Sequence, residues 1–99
     1  MRKITFLVLL GFVLSTCSAC FGYNAVITWS KVPDGDLGGY TIYQSSNGVK
    51  YKKIATVQPT ATKIILHNQS KYVNAYWYVK SFDINGNESK PSNIVKYIH

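Results

Sequence analysis

The most regular pattern in the chain is an alternation of side-chain types over residues 75–82. Trp77 and Val79 fall on one side of an extended backbone, because successive side chains of a strand point to opposite faces. Tyr76 and Tyr78 fall on the other side. The run is rich in aromatic and β-branched residues, and an Asn-Gly pair follows it. The pattern predicts a central strand that turns back into an antiparallel partner.

Five other short runs have the same β-favouring character and are separated by turn residues. The predicted strands cover residues 25–29, 40–45, 51–57, 62–66, 75–82 and 93–98. Residues 31–39 form a loop rich in Gly and Pro, a second Asn-Gly pair at 47–48 predicts a tight turn, and residues 67–72 form a polar connector. Short strands at this spacing without a helical period are typical of an all-β antiparallel sandwich.

The N-terminus follows a different pattern, which is typical of an export signal. Arg2 and Lys3 precede an almost uninterrupted apolar run over residues 4–14, and small residues follow that run. The run is too short for a stable membrane span, and an amphipathic helix would need a polar face that it lacks. We predict a signal peptide at 1–19, a short tether at 20–24 and a domain at 25–99. Without Arg2 and Lys3, the net charge of +7 falls to +5.

The only cysteines, Cys17 and Cys20, lie at the end of this signal. A redox pair is disfavoured, since no strand-to-helix context follows the Cys-x-x-Cys spacing. The residues before each cysteine partly resemble the lipobox of bacterial lipoproteins, which makes Cys20 and Cys17 candidates for lipidation. A lipoprotein in the cell envelope and a freely secreted or periplasmic protein both remain open at this point.

Three motifs together resemble those of a bacterial fibronectin type III domain. They are Ile27-x-Trp29, then Asp36-Leu37-Gly38-Gly39-Tyr40-x-Ile42-Tyr43, then Val79-x-Ser81-x-Asp83-x-x-Gly86-Asn87-x-Ser89. The resemblance implies an immunoglobulin-like sandwich in which Trp29, on the second strand, fills the core. We expect Ile27, Ile42, Trp77 and Val79 to be buried with it.

The resemblance also implies two features that this chain supplies only in part. The family begins with a strand for which a processed chain offers only residues 21–24, so we expect a truncated first strand and an open sheet edge beside residues 25–29. The family's corner tyrosine falls at Ala75, with Tyr72 and Tyr76 as the nearby substitutes.

No set of residues in the sequence favours catalysis or metal binding. Asp83-x-Asn85-x-Asn87 has the opening spacing of a calcium loop but lacks the later ligands, so we interpret it as a hairpin turn. Gly86 should then have a positive φ, and Asn87→Asp should matter little. The two histidines are isolated and no nucleophile motif occurs. We therefore expect no enzyme activity, no cofactor and no metal.

The surface chemistry favours weak contacts with anionic groups or with sugars. All cations after Lys3 are lysines, and the absence of Arg disfavours nucleic acid as a partner. Lys52 and Lys53 near a hairpin are candidates for contact with an envelope component or an anionic membrane surface. Tyr76 and Tyr78, with Tyr40 as a third candidate, form an expected exposed tyrosine face that could stack on sugars.

These observations predict a non-catalytic binding or structural module of the bacterial cell envelope. The alternative is a soluble secreted accessory factor that binds glycan through surface tyrosines. In the first case, the open edge would accept a strand from a partner protein or another envelope component.

Overall fold

The structure is a computed structural model that describes residues 9–16, 22–33 and 35–99. Seven strands and no helix occur in this part of the chain. The strands are β1 (Leu9–Thr16), β2 (Gly22–Trp29), β3 (Leu37–Ser45), β4 (Lys52–Val57), β5 (Lys63–Ser70), β6 (Ala75–Asp83) and β7 (Val95–Tyr97). Over the same ranges, no helix has the length and apolar character needed to cross a membrane.

The strands form two antiparallel sheets that pack face to face. One sheet has the order β1-β2-β5 and the other the order β4-β3-β6-β7. β3 and β6 are not consecutive in the chain, yet they lie side by side in the second sheet. They pair from Leu37↔Asp83 to Ser45↔Tyr76. This arrangement confirms the predicted all-β antiparallel sandwich.

The core lies between the sheets and confirms the predicted buried set. Trp29, Ile27, Ile42, Trp77 and Val79 are all buried and belong to one hydrophobic cluster. The indole Nε1 of Trp29 donates a hydrogen bond to the carbonyl of Ala61 at 3.1 Å, so the polar atom of this large side chain has a partner.

Tyr40 belongs to the core rather than to the exposed tyrosine face, so its predicted exposure is wrong. Its side chain is fully buried, and its ring centroid lies 5.3 Å from that of Trp29. Its hydroxyl accepts a hydrogen bond from the backbone N–H of Val32 at 3.0 Å. The apolar body of the ring is buried while its polar tip is paired, which satisfies both ends of the side chain.

Three strands extend further than their side-chain pattern predicts. β2 begins at Gly22, β3 begins at Leu37 and β5 runs to Ser70, so parts of the expected loop 31–39 and of the expected polar connector are strand. Backbone pairing continues through Gly22↔Ser70, with an irregularity between Tyr23 and Ala25. The polar residues stay in the strand because their backbone groups find partners, which side-chain polarity alone does not reveal.

The last strand is shorter than predicted, because side chains replace part of its backbone pairing. Ser92 donates its N–H to the carbonyl of Val79, and its hydroxyl accepts the N–H of Val79, both at 2.9 Å. Ser89 does the same with the carbonyl and N–H of Ser81, at 2.8 and 3.0 Å. Pro91 lies between the two serines and has no N–H of its own. The serine pairs therefore satisfy the edge of β6 until β7 begins.

The full chain has a first strand, β1, which the prediction for a processed chain did not include. β1 pairs antiparallel with β2 from Leu9↔Trp29 to Thr16↔Tyr23. The edge beside residues 25–29 is therefore covered, and the strand that covers it lies within the predicted export signal. The apolar run of that signal is long enough to pair with the backbone groups of β2. The prediction did not include this strand, because it assigned residues 1–19 to the signal peptide.

The buried position of Trp29 predicts a large effect of truncation. We expect Trp29→Ala to lower the free energy of unfolding by about 3–5 kcal/mol, because a cavity replaces the indole between the sheets. Urea denaturation measures the change. Ile65→Ala, at an exposed position of the same sheet, is the control and should be nearly neutral. An unchanged midpoint for Trp29→Ala would contradict the core assignment.

Candidate functional site

A row of three tyrosines crosses the outer face of the four-stranded sheet; we refer to Tyr43, Tyr51 and Tyr78 as the tyrosine row. Tyr43 and Tyr78 are direct register partners on β3 and β6. Their ring centroids are 5.0 Å apart in a stacked arrangement, and the ring of Tyr51 lies 4.6 Å from that of Tyr78. Because Trp77 and Val79 point inward, strand alternation directs Tyr78 outward.

One lysine and one glutamate lie against the tyrosine row. The Nζ atom of Lys80 lies 5.3 Å from the ring centroid of Tyr43 and 5.9 Å from that of Tyr78, within the range of cation–π attraction. The same Nζ lies 3.8 Å from Oε1 of Glu88. The hydroxyl of Tyr43 donates a hydrogen bond to Oε2 of Glu88 at 2.7 Å. The result is a connected aromatic and charged surface.

The acidity of these phenols follows from the same contacts. Burial, the hydrogen bond to Glu88 and its negative charge raise the pKa of Tyr43 to about 12. Burial and the charge of Glu88 also raise the pKa of Tyr78. Both phenols therefore stay neutral at physiological pH, which suits them to hydrogen bonding and stacking rather than to nucleophilic chemistry.

An open cleft of about 340 Å³ adjoins the tyrosine row. It is lined by Thr41, Tyr43, Lys53, Thr56, Phe82, Gly86 and Glu88. This shallow surface thus combines aromatic rings with hydroxyl groups, an ammonium group and a carboxylate. Such a surface can stack on a sugar ring and hydrogen-bond its hydroxyls.

The structure brings together two of the four predicted contact residues. Tyr78 lies at the centre of the tyrosine row, and Lys53 lies on the same face as its register partner Tyr43. Lys52 pairs with Gln44 and lines a different open cleft, of about 570 Å³.

Tyr76 faces outward as predicted, but its ring packs against a turn. A Cβ atom placed on Gly48 would lie 3.4 Å from the ring of Tyr76. Gly48 has a φ of 76°, so the Asn-Gly turn and the covering ring fit each other. Tyr76 therefore supports the β3–β4 hairpin.

Four residues of this surface were missed at the level of sequence: Tyr43, Tyr51, Lys80 and Glu88. The outward direction of Tyr43 follows from its position next to Ile42, which is a signal that alternation offers. Its pairing with Tyr78 depends on strand register, which the alternation does not fix.

The two lipidation candidates, Cys17 and Cys20, lie outside the described residues. The described residues hold no group of three or more His, Cys, Asp or Glu side chains that could bind a metal ion. His67 is exposed on β5, and His99 contacts the ring of Tyr72 at 5.9 Å.

A tyrosine from the last strand makes a hydrogen bond to the backbone at the β5–β6 corner, near the position expected for the family's corner tyrosine. The hydroxyl of Tyr97 donates a hydrogen bond to the carbonyl of Lys71 at 3.0 Å, in the connection between β5 and β6. Its ring lies 4.5 Å from that of Tyr23. Tyr72, one of the two expected substitutes, is exposed. Tyr97 was not identified from the sequence because it is remote in the chain from the corner that it closes.

The turn beside the cleft is organised by the carboxylate of Asp83. Its Oδ1 accepts the N–H groups of Asn85 and Asn87, both at 2.9 Å, and its Oδ2 accepts Nδ2 of Asn87 at 3.0 Å. The hydrogen bond from the Asn87 side chain, followed by those from backbone N–H groups, lowers the pKa of Asp83. Gly86 has a φ of 87°, as predicted. Asn87 is a donor to this carboxylate, so we now expect Asn87→Asp to destabilise the turn rather than to matter little.

Comparison with known proteins identifies the fold. No protein family profile and no curated protein matches the chain. Among solved structures, a human fibronectin type III domain from the KIAA0970 protein is 20% identical, with a TM-score of 0.66. The match covers 96% of this chain, a share too large to omit β1, and 73% of that domain. The chain therefore has a fibronectin type III-like fold.

Parts of two polysaccharide-degrading enzymes share this fold. Pectate lyase PelI from Erwinia chrysanthemi, solved with tetragalacturonic acid, is 16% identical with a TM-score of 0.70, and the match covers 91% of this chain. A β-1,2-glucanase from Parabacteroides distasonis is 26% identical with a TM-score of 0.63, over 95% of this chain. The chain spans 27% of that lyase and 13% of that glucanase, so the likeness concerns a single part of each enzyme.

The Asp83 turn predicts different responses from two neighbouring variants. Gly86→Val should cost about 1–2 kcal/mol from its left-handed backbone alone, since no other atom lies within 4 Å of the added Cβ. Asn87→Asp should lower the melting temperature at pH 7, because a second carboxylate replaces the donor to Asp83.

The pH dependence separates these two mechanisms. The lowered pKa of Asp83 stabilises the wild-type fold above the ordinary carboxyl pKa, and this contribution is lost as pH falls through the lowered value. The deficit of Asn87→Asp should therefore shrink at pH 3, whereas that of Gly86→Val should not. Melting curves at pH 7 and pH 3 measure both. Equal deficits of Asn87→Asp at the two pH values would contradict the role of the Asp83 carboxylate.

Proposed function

We propose that the chain is a non-catalytic binding module of the bacterial cell envelope. In this proposal residues 1–19 export the chain and are removed before Cys20, which carries the lipid that holds the domain there; with cleavage before Cys17, Cys17 carries the lipid instead. The partner is a protein or another envelope component rather than a nucleic acid. The fibronectin type III-like fold supports a binding or structural role.

One observation carries the proposal: β1 coincides with the apolar run of the predicted export signal. The strand Leu9–Thr16 covers one edge of β2 in the full chain. Cleavage before Cys17 or before Cys20 would remove that strand and leave β2 at the sheet edge. Its unpaired N–H and C=O groups would then favour addition of a strand from a partner.

The exposed edge would belong to an otherwise well-packed strand. The inward side chains of β2 remain held by the second sheet: Tyr23, Ala25, Ile27 and Trp29 are all buried in the core cluster. The opposite edge of β2 remains paired with β5 from Gly22↔Ser70 to Thr28↔Lys63. A partner strand would therefore meet a template that is already extended, which lowers the entropic cost of binding.

A second candidate function is glycan binding by a soluble secreted accessory factor. The tyrosine row, with Lys53 and Lys80 beside it, favours this alternative because aromatic faces stack on sugars. Parts of a pectate lyase and a β-1,2-glucanase have the same fold. Glycan-array binding that is lost in Tyr78→Ala but kept in Tyr72→Ala would support this alternative over the first.

Labelling with radioactive palmitate in a bacterial host tests the first proposal. The full chain should incorporate label, and either Cys20→Ser or Cys17→Ser should abolish it while the other variant keeps it. The retained label in one variant is the control for export and folding. A processed but unlabelled wild-type protein in the soluble fraction would contradict the lipoprotein and favour the secreted form.

A further inference from the structure

Three segments at one end of the sandwich form a distinct surface, which we name the basic pole: residues 46–52, 71–74 and 96–99. Register shows that they meet, since Ser45 pairs with Tyr76 and Ala75 pairs with Tyr97. Direct contacts link them further. The backbone N–H of His99 donates to Oδ1 of Asn74 at 2.8 Å.

Apolar side chains are exposed at this pole. Val49, Tyr72, Val73 and Ile98 are 78%, 57%, 53% and 54% exposed. They come from the three separate segments of the pole, so the exposed apolar side chains are distributed across this surface. Exposed apolar groups beside cations are characteristic of surfaces that enter the membrane interface.

The charges of the chain are segregated along the same axis. The basic pole carries Lys50, Lys52, Lys71 and Lys96. The described acidic residues lie at the opposite end, and they are Asp36, Asp83 and Glu88. Register and contacts locate them there, through Leu37↔Asp83, the bridge Phe82↔Glu88 and the hydrogen bond from the N–H of Ile84 to the carbonyl of Asp36.

This segregation gives the two ends different electrostatic characters. At the acidic end, Lys80 already pairs with Glu88, and the other three lysines there, Lys31, Lys63 and Lys90, are largely balanced by Asp36 and Asp83. At the basic pole the described residues supply no carboxylate side chain. The positive potential of the domain is therefore strongest at the basic pole, where it favours binding to an anionic surface.

A chain processed before Cys20 would enter the domain at the basic pole. β2 begins there, at Gly22, which pairs with Ser70 at the end of β5. Cys20 precedes Gly22 by two residues, so a lipid on Cys20 can lie no more than about 7 Å along the chain from β2. A lipid attached there would bring this end, rather than the acidic end, to the bilayer.

We propose that the basic pole rests on an anionic lipid bilayer, with Val49, Tyr72, Val73 and Ile98 at the interface and the lysines over the headgroups. The inference rests on the proposed envelope location, and it adds the orientation of the domain and the residues in contact. It leaves the outer face of the four-stranded sheet around Tyr43 and Tyr78, and the part of the β2 edge remote from the pole, free to meet a partner.

Variants with one added tryptophan test the orientation of the domain on the bilayer. Trp29 and Trp77 are buried and give a constant background. Tyr72→Trp places a reporter at the basic pole, and Ile84→Trp, at a position 71% exposed at the acidic end, is the matched control. The protein purified from membranes after expression of the full chain is reconstituted in vesicles of phosphatidylethanolamine and phosphatidylglycerol at 7:3. Brominated lipids should quench Tyr72→Trp and leave Ile84→Trp unchanged.

Charge reversal tests the electrostatic contribution to vesicle binding in a protein that lacks the lipid anchor. The full chain with Cys17→Ser and Cys20→Ser is added to the same vesicles and sedimented. Adding Lys50→Glu and Lys71→Glu should weaken binding at least about tenfold, since each lysine near an anionic surface contributes to binding. Lys31→Glu with Lys90→Glu is the control and should have little effect. Melting curves check that each variant is folded.

The outcomes separate this inference from the proposed function. Quenching of both reporters, of neither, or of Ile84→Trp alone would overturn the orientation, even if palmitate labelling succeeds. Equal loss of binding in the two charge-reversal pairs would overturn the role of the basic pole. If palmitate labelling fails but the pole variants alone lose vesicle binding, the lipid-facing pole stands and the lipoprotein falls.

Discussion

The fold of the full chain is organised around a strand that is paired on both edges and covered on one face. β2 lies between β1 and β5, and its inward side chains reach Trp77 and Val79 of the opposite sheet within one core cluster. Every buried N–H and C=O of such a strand needs a partner, because leaving one unpaired costs about 1–3 kcal/mol. One of those edges is satisfied by Leu9–Thr16, so the apolar segment that resembles an export signal is also structural in the full chain.

The pairing of β1 with β2 links folding to the proposed binding role, and a domain that begins at residue 25 would not include it. In an unprocessed chain, β1 protects the edge of β2 from other strands. In a processed chain, the same edge becomes the place where backbone hydrogen bonds remain to be made. The tyrosine row adjoins the basic pole through Tyr51, and the β2 edge begins at that pole with Gly22. A domain resting on the basic pole would leave Tyr43, Tyr78 and the part of the β2 edge remote from the pole exposed.

The sequence predicted those parts of the structure that follow from local alternation and turn chemistry. The inward set of β6, the core around Trp29 and the positive φ of Gly86 all follow from side-chain period or from one residue's conformational needs. Features that depend on register or on side-chain hydrogen bonds were not predictable in this way. Tyr43 meets Tyr78 only through the β3–β6 register, and Asn87 matters only through Asp83. Two errors were avoidable, because alternation separates Lys52 from Lys53 and places Tyr40 on the same inward face as Ile42. The hydrogen bond that pairs the Tyr40 hydroxyl with Val32 was not predictable from the sequence.

Hydrogen exchange of the backbone amides of β2 tests the central claim, that the apolar N-terminal segment is the first strand of the domain. The comparison is between the full chain, expressed without export so that it stays unprocessed, and the processed protein without a partner. The account predicts slow exchange along both edges of β2 in the full chain, and fast exchange of the β1-facing amides alone in the processed protein. Equal protection of those amides in the two forms would contradict it, because β1 would then not be what pairs with that edge.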